Sequence, residues 1–220
     1  MSEDFWERPE VVAQFAARDA DRRLIPLLDD YPDPGAMRVL DLGCAGGRNT
    51  VPLAARGFDV HALDASAAMV EETRRRLAPI VGAAGARERA QVGRMDDLSR
   101  FDSGSIDLVV ALGILHQAAS WPEWLRAMGE VVRVLRPGGR LLIAHFSPDT
   151  DPTGAGVTPV AGAPHVYDGL HGGRATLLTV AELDAEAARL GLRPETPTST
   201  GETRTDGGRR VSVNGLYRKA

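Results

Sequence analysis

The chain contains 220 residues, of which 26 are basic and 30 acidic, and its formal net charge is −4. This length predicts a single domain that buries a hydrophobic core without disulfides or structural metals. The mild acidity argues against nucleic-acid binding, and the one cysteine, Cys44, excludes an internal disulfide and a cysteine-rich metal site. The apolar runs are too short to span a membrane, and the acidic N-terminus lacks a signal-peptide pattern, so we expect a cytoplasmic protein.

Strands and helices are predicted to alternate along the first two thirds of the chain. An N-terminal helical segment covers residues 9–30. Short apolar runs predict strands at 37–43, 58–64, 90–93, 106–112 and 140–146. Helices are predicted at 49–56, 67–81 and 121–135. Because the strands are almost wholly apolar, helices should cover both faces, which favours a doubly wound, Rossmann-like α/β sheet with parallel strands.

The pattern changes after residue 146. Residues 147–176 are rich in Gly, Pro, Ala and Thr and have no periodicity, which predicts a long loop. A helix at 179–190 and two strands, at 192–198 and 210–217, are predicted to follow, with a polar turn at 201–208. We therefore predict one domain over 1–220, made of an N-terminal helical part (1–36), a core (37–146), a loop (147–176), and a closing helix and hairpin (177–220).

A turn of small residues, Asp41-Leu42-Gly43-Cys44-Ala45-Gly46-Gly47, follows the first strand. Ligands bind at such strand-to-helix turns in open α/β sheets. The next strand ends in Asp64, where a carboxylate can accept hydrogen bonds from a ribose diol. The glycine spacing differs from the G-x-G-x-x-G pattern of dinucleotide-binding proteins. Asp41 would repel a pyrophosphate and attract an ammonium or sulfonium group.

This turn is similar to the first motif of class I S-adenosylmethionine-dependent methyltransferases. Further landmarks of that family follow in order at Asp64, 93–98, 101–116 and 135–139. The resemblance covers residues 37–146 and implies a seven-stranded, mostly parallel sheet with a C-terminal antiparallel hairpin. It also implies S-adenosylmethionine as cofactor and S-adenosylhomocysteine as product. The cofactor-binding residues that it implies are Asp41, Gly43, Ala45, Gly47, Asn49, Asp64, Ala65, Met95, Asp96, Ala111 and Leu112.

By this resemblance, Asp41 would hold the cofactor's ammonium group and Asp64 its ribose hydroxyls, while Met95 and Asp96 would flank the adenine. Two positions depart from the family pattern. Ala45 replaces the middle glycine of the turn, which is tolerated where its φ is negative. Arg94 stands where an acid is common, a departure that bears on adenine recognition by Asp96.

Two histidines follow the fourth and fifth strands, His116 and His145, and each is predicted either as a general base or as a structural residue. The resemblance further implies that residues 1–36, including Trp6, form a lid, and that the loop at 147–176 lines the acceptor pocket. The candidate substrate contacts are Trp6 in the N-terminal segment and His165, Tyr167 and His171 in that loop. The histidine spacings match no zinc pattern, so we predict no metal.

The resemblance implies an enzyme that transfers a methyl group to an O or N atom of a small molecule, such as a secondary metabolite. Sulfur or chalcogen acceptors stay open, because the motif is also similar to that of tellurite- and thiopurine-type enzymes, and a protein acceptor stays open as well. An NAD-dependent oxidoreductase and a non-catalytic cofactor-binding module are the alternatives from other classes. We expect no nucleic-acid or membrane partner, and either a monomer or a homodimer.

Overall fold

The computed structural model describes residues 3–170 and 173–220. Its helices are α1 (Glu3–Trp6), α2 (Pro9–Ala16), α3 (Leu24–Leu27), α4 (Thr50–Ala55), α5 (Ala67–Arg89), α6 (Trp121–Val134) and α7 (Val180–Arg189). Its strands are β1 (Arg38–Leu42), β2 (Asp59–Asp64), β3 (Ala90–Val92), β4 (Ile106–Leu112), β5 (Leu135–Phe146), β6 (Thr158–Pro159), β7 (Val166–Leu170), β8 (Gly173–Thr176), β9 (Leu192–Pro194), β10 (Ser199–Thr205) and β11 (Gly208–Lys219).

The main sheet has the strand order β10-β11-β5-β4-β1-β2-β3, and the short strand β9 pairs with the end of β11. Strands β1 to β5 pair parallel with one another, whereas β11 is antiparallel to both β5 and β10. This arrangement confirms the predicted doubly wound, mostly parallel sheet with a C-terminal antiparallel hairpin. The carboxyl ends of β1, β2, β4 and β5 therefore meet at one edge, which is the edge where such sheets bind ligands.

Successive side chains of β1 point to opposite faces of the sheet and so belong to two different hydrophobic layers. Leu40 points to the layer under α6 and α7, which contains Trp124 and Leu183. Val39 points to the opposite layer, under α3, α4 and α5. These side chains are fully buried, and each contributes roughly 1.5–3 kcal/mol through burial. The two layers hold the sheet rigid up to the edge that carries the glycine turn.

The closing hairpin has different bounds from those predicted. The predicted polar turn at 201–208 lies mostly in β10, which pairs along its length with β11, and the chain reverses at Asp206 and Gly207. The first predicted strand, 192–198, reduces to β9. The prediction failed because β10 is an edge strand with exposed side chains, so its polar residues need no burial.

The predicted loop at 147–176 contains a second sheet of three antiparallel strands, in the order β6-β7-β8. Leu170, Ala175 and Leu177 are buried beneath it, and Phe146 packs against them. The buried apolar residues described in this segment, which also include Val166, have no regular spacing, which explains why the sequence shows no periodicity here. Residues 171 and 172, and with them the predicted substrate contact His171, lie outside the described residues.

Hydrogen bonds fasten the C-terminal strand to the helices behind it. The buried Tyr217 hydroxyl donates to Asp184 Oδ1 over 2.6 Å, and Thr198 Oγ1 donates to the same oxygen over 2.6 Å. The chain's one lysine, Lys219, donates from Nζ to two carbonyl oxygens at the end of α6, those of Val132 and Leu135, both over 2.6 Å. A cation at this place also interacts favourably with the negative end of the α6 dipole. In the part of the chain that the structure describes, no helix has the length and hydropathy to cross a bilayer.

We predict that Tyr217→Phe lowers the free energy of unfolding by about 1–2 kcal/mol, because Asp184 then loses a hydrogen-bond donor inside the protein. Urea denaturation measures this change. Tyr167→Phe is the matched control, since the Tyr167 hydroxyl makes no hydrogen bond with another described residue. Equal effects of the two substitutions would contradict the role given to Tyr217.

Candidate active site

The turn between β1 and α4 lies at the carboxyl edge of the sheet. The backbone N–H groups of Gly43 and Cys44 both donate to the Leu63 carbonyl, over 2.8 and 3.1 Å, so the turn is joined to β2. Gly43 has a φ of +74°, and a Cβ atom there would lie 2.6 Å from Ile114 Cβ. Both observations require glycine at this position.

Ala45 does not meet the condition set from the sequence, because its φ is +48° rather than negative. A left-handed alanine costs roughly 1–2 kcal/mol. Two hydrogen bonds hold it there: its N–H donates to Asp64 Oδ2 over 2.9 Å, and its carbonyl accepts from Thr73 Oγ1 over 2.7 Å. The turn is therefore held in one conformation by its neighbours and does not depend on a third glycine.

Asp41 is buried beneath the turn, with 1% of its surface exposed, and Thr50 Oγ1 donates to its Oδ2 over 2.6 Å. Burial raises the pKa of Asp41 to about 6, an effect that the Thr50 hydrogen bond and the charge of Arg48 partly offset. The side chain is thus poised to ionise fully when a cation lies against it.

Asp64 is half-buried at the end of β2, and both of its carboxylate oxygens accept backbone hydrogen bonds. Oδ1 accepts from the Ser66 N–H over 3.0 Å, and Oδ2 accepts from the Ala45 N–H. Burial raises its pKa above the ordinary value. Each oxygen keeps a second lone pair, so the group can still accept from a ribose diol.

The N-terminal helices lie over this edge. Glu7 accepts hydrogen bonds from the N–H groups of Ala67 and Ala68, at the start of α5, over 2.9 and 3.1 Å. The Trp6 carbonyl accepts from Ser66 Oγ, and the Trp6 ring packs on Phe15 with the ring centroids 5.1 Å apart. This placement is the one that a lid requires, although the lid function itself stays a prediction. No sequence pattern indicates the role of Glu7, because its hydrogen-bond partners are 60 and 61 residues away.

The predicted adenine-binding carboxylate belongs to an ion-pair group. Asp96 pairs with Arg94 over 2.9 Å and with Arg126 over 3.2 Å, and Arg94 also reaches Glu123 over 2.8 Å. Burial alone would raise the pKa of Asp96, but the hydrogen bonds from the two arginines outweigh it and lower the pKa. Arg94 therefore keeps Asp96 ionised and oriented, which is how this chain uses its departure from the family pattern.

The remaining predicted cofactor residues lie along the same edge. Gly47 adopts a φ of +78°, and the buried Asn49 side chain accepts a hydrogen bond from the Asp21 N–H over 2.9 Å. Ala65 is exposed, Met95 is partly buried against the core, and Ala111 and Leu112 end β4. The geometry brings these positions to the predicted edge, and their contacts with a cofactor stay predictions.

The structure corrects the expectation that His145 is a candidate base. The side chain is fully buried, its Nε2 accepts from Trp124 Nε1 over 3.0 Å, and its Nδ1 donates to the Phe146 carbonyl over 3.0 Å. Burial lowers the pKa of His145 to about 4. A neutral imidazole with both nitrogens engaged holds Trp124 in place, which favours the structural one of the two predicted roles.

His116 lies beside His145 and is 2% exposed. Its ring packs on the Phe146 ring with the centroids 4.2 Å apart, and its Nε2 lies 3.1 Å from the Gln117 side-chain nitrogen. On the other side of the α6 N-terminus, Trp121 stacks on Trp124, with the ring centroids 4.8 Å apart. The ends of β4 and β5 therefore border a group of aromatic rings.

The small second sheet adds two predicted substrate contacts to this side of the edge. His165, with a φ of +61°, packs on Trp121 with the ring centroids 4.5 Å apart and pairs with Glu182 over 3.3 Å. Tyr167 is half-buried, and burial with the charges of Glu182 and Asp149 raises its pKa. No local sequence pattern indicates the contacts of Trp121 with His165 and of Trp124 with His145, because the partners lie on different elements.

The fold is that of a doubly wound α/β protein, and the carboxylates at its ligand edge are suited to a cationic ligand. Residues 39–139 match a family model described as a methyltransferase domain. This match confirms the sequence-based resemblance to S-adenosylmethionine-dependent methyltransferases over the part of the chain that it covers.

Known proteins agree with this assignment. An uncharacterized methyltransferase of Mycobacterium tuberculosis is 40% identical over 106 residues, which are 48% of this chain and 38% of that protein. A demethylmenaquinone methyltransferase of Beutenbergia cavernae is 35% identical over 111 residues, 50% of this chain and 41% of that protein. The matches thus span about two fifths of the curated relatives' length.

The fold is also similar to that of solved structures. Magnesium protoporphyrin IX methyltransferase of Synechocystis, crystallised with bound S-adenosylhomocysteine, superposes with a TM-score of 0.67 at 16% identity. The match covers 99% of this chain and 98% of that chain. The similarity therefore extends beyond the core to the N-terminal helices and the closing hairpin.

We predict an unusual pH dependence for Asp41 in the ligand-free protein. Its folded pKa of about 6 lies above the ordinary value near 4, so the stability that the protonated carboxyl contributes is lost as the pH rises from 4 through 6. The Asp41→Asn variant has no carboxyl at this position and so does not lose this stability. The difference in free energy of unfolding, variant minus wild type, should therefore rise by about 2 kcal/mol between pH 4.5 and 7.5. Urea denaturation at both pH values measures this change, and a constant difference would contradict it.

Proposed function

We propose that the chain transfers a methyl group from S-adenosylmethionine to an O or N atom of a small molecule. The observation that carries this proposal is the pair of carboxylates, Asp41 and Asp64, on either side of the glycine turn. Carboxylates there disfavour a pyrophosphate by about 1 kcal/mol or more and favour an ammonium or sulfonium group. The domain assignment and the bound product in the Synechocystis structure support the same ligand.

In this proposal each residue of the edge has a defined task. The backbone of residues 43–47 cradles the methionine part of the cofactor, and Asp41 pairs with its ammonium group. Asp64 accepts from the ribose hydroxyls, and Met95 and Asp96 contact the adenine. The orientation of both aspartates is fixed before binding, because each carboxylate is already hydrogen-bonded within the protein. Such preorganisation reduces the entropy lost on binding.

The bound cofactor supplies a methyl group on a positively charged sulfur, which leaves as a neutral thioether. The protein's contribution is therefore alignment of the acceptor atom with the carbon–sulfur bond, and proximity can supply most of the acceleration. An alcohol or phenol must also lose its proton. His116 is the base that we propose for that step, because both ring nitrogens of His145 are already engaged in hydrogen bonds.

The aromatic rings at the ends of β4 and β5, where we place the acceptor, support an acceptor that is planar and aromatic. The rings of His116, Phe146, Trp121 and His165 lie at the ends of β4 and β5 and in the adjoining small sheet. Aromatic rings favour offset or edge-to-face contacts with another ring. The demethylmenaquinone methyltransferase relative carries a name consistent with a ring-shaped acceptor. Sulfur, chalcogen and protein acceptors are the alternatives within the same reaction.

Calorimetry with S-adenosylhomocysteine tests the cofactor. We predict that wild type binds it and that Asp64→Ala weakens binding at least tenfold, because a charge-assisted hydrogen bond contributes about 1.5–3 kcal/mol. Glu71→Ala is the matched control, since Glu71 is an exposed carboxylate on α5 away from the turn. Binding of NADH in place of S-adenosylhomocysteine would overturn the proposal, and unchanged affinity in Asp64→Ala would overturn the ribose assignment.

Turnover with paired acceptors tests the base. With labelled S-adenosylmethionine and a panel of phenols and aromatic amines, we predict that His116→Gln slows methylation of phenols by about 10²–10⁴-fold and spares amines, whose lone pair is free. His145→Gln should lower the unfolding temperature and affect both acceptor types alike. Equal losses on phenols and amines in His116→Gln would show that the residue is structural.

A further inference from the structure

The segment that begins at the end of α2, residues 16–23, connects the glycine turn to β11, and we call it the polar strap. Ala16 contacts the turn so closely that a Cβ atom on Gly46 would lie 2.7 Å from Ala16 Cβ. Farther along, Arg23 pairs with Asp21 over 2.7 Å and donates a hydrogen bond to Asn214 on β11. The chain between these contacts therefore lies between the glycine turn and one face of β11.

Positive charge gathers in this strap. Asp21 is shared by two guanidinium groups, those of Arg23 and, over 3.8 Å, Arg48. Arg48 also donates to the Asp19 carbonyl over 3.4 Å. Arg18 lies on the Phe15 ring, with its Cζ 3.8 Å from the ring centroid, but it forms no ion pair with any described residue.

Arg210 approaches the same place from β11. Residues 210, 212 and 214 share one face of the strand, and Asn214 on that face is the residue that Arg23 contacts. Ser212 pairs in register with Phe146, the last residue of β5, so Arg210 lies beyond the carboxyl end of β5. This is the acceptor side of the edge, away from β2 and β3. Arg210 forms no ion pair with any described residue.

We propose that Arg18 and Arg210 bind an anionic group of the acceptor, a carboxylate or a phosphate, at the end of the molecule away from the atom that is methylated. This inference rests on the proposed function. It assigns to the acceptor a negative group beside the aromatic rings of the pocket.

The charge balance supports an anion at this position. Burial lowers the pKa of Arg18, and the positive charges of Arg48 and Arg210 lower it further, which agrees with an excess of positive charge around this side chain. An oxyanion between Arg18 and Arg210 would relieve that repulsion and could accept several of their N–H donors. The cofactor's own carboxylate does not need them, because Arg48 lies closer to the glycine turn and can serve it.

The test uses the full chain saturated with S-adenosylhomocysteine, so that the cofactor's carboxylate already occupies its place. Calorimetric titrations with inorganic phosphate and, separately, with benzoate are run at constant ionic strength, because salt screens exposed charges. We expect one anion to bind, and Arg18→Gln or Arg210→Gln to weaken it about tenfold or more. Arg204→Gln is the matched control, an exposed arginine on β10 without an ion pair among the described residues, and should bind like wild type.

Each outcome separates the possibilities. Anion binding by the ligand-free protein that vanishes once S-adenosylhomocysteine is bound would mean that the arginines serve the cofactor's carboxylate, which overturns the inference. Absence of binding in both states, or equal loss in the control variant, would overturn it as well. Anion binding that needs Arg18 and Arg210, in a protein that does not bind S-adenosylhomocysteine, would preserve the anion site and reject the proposed function. A preference for phosphate over benzoate, or the reverse, identifies the acceptor's charged group.

Discussion

The hydrogen bonds of the Asp64 carboxylate are the constraint on which the candidate site depends. One oxygen holds the Ala45 N–H and the other the Ser66 N–H, so a single side chain joins the glycine turn to the start of α5. The left-handed Ala45 is stable only because of such bonds, and Ser66 in turn caps α5 and contacts the Trp6 carbonyl. Without this carboxylate, the turn, the helix and the N-terminal segment would lose their common anchor.

Charge is divided along the carboxyl edge in a way that follows the strand order. The carboxylates of Asp41 and Asp64 lie at the ends of β1 and β2, whereas Arg210 lies on β11, beyond the end of β5. The rings of His116 and Phe146 lie at the ends of β4 and β5, between these two groups in the strand order. A positively charged methyl donor and a negatively charged acceptor would each lie beside residues of the opposite charge. The charge distribution therefore favours one placement of the two ligands along the edge over the reverse placement.

The sheet and the position of its ligand edge could be predicted from the sequence, because continuous apolar strands and the turn at 43–47 are local signals. The bounds of β10 could not, since an exposed edge strand carries the polar residues of a turn. The role of His145 could not be predicted either. Its partner, Trp124, lies 21 residues earlier on another element, so neither segment's own pattern reveals the hydrogen bond. The same holds for Glu7 and for the pairing of Arg94 with Glu123, because these partners lie in distant parts of the chain.

Lys219, bound to the last carbonyls of α6, gives the protein a single side-chain amine. That amine lies on the strand that joins the closing hairpin to the parallel core. Acylating reagents that modify lysine would therefore act at one side chain, and their rate would follow the release of Nζ from the helix end. The scarcity of lysine has no meaning for the chemistry of the site. It does make the acylation rate of Lys219 a measure of how often β11 separates from α6.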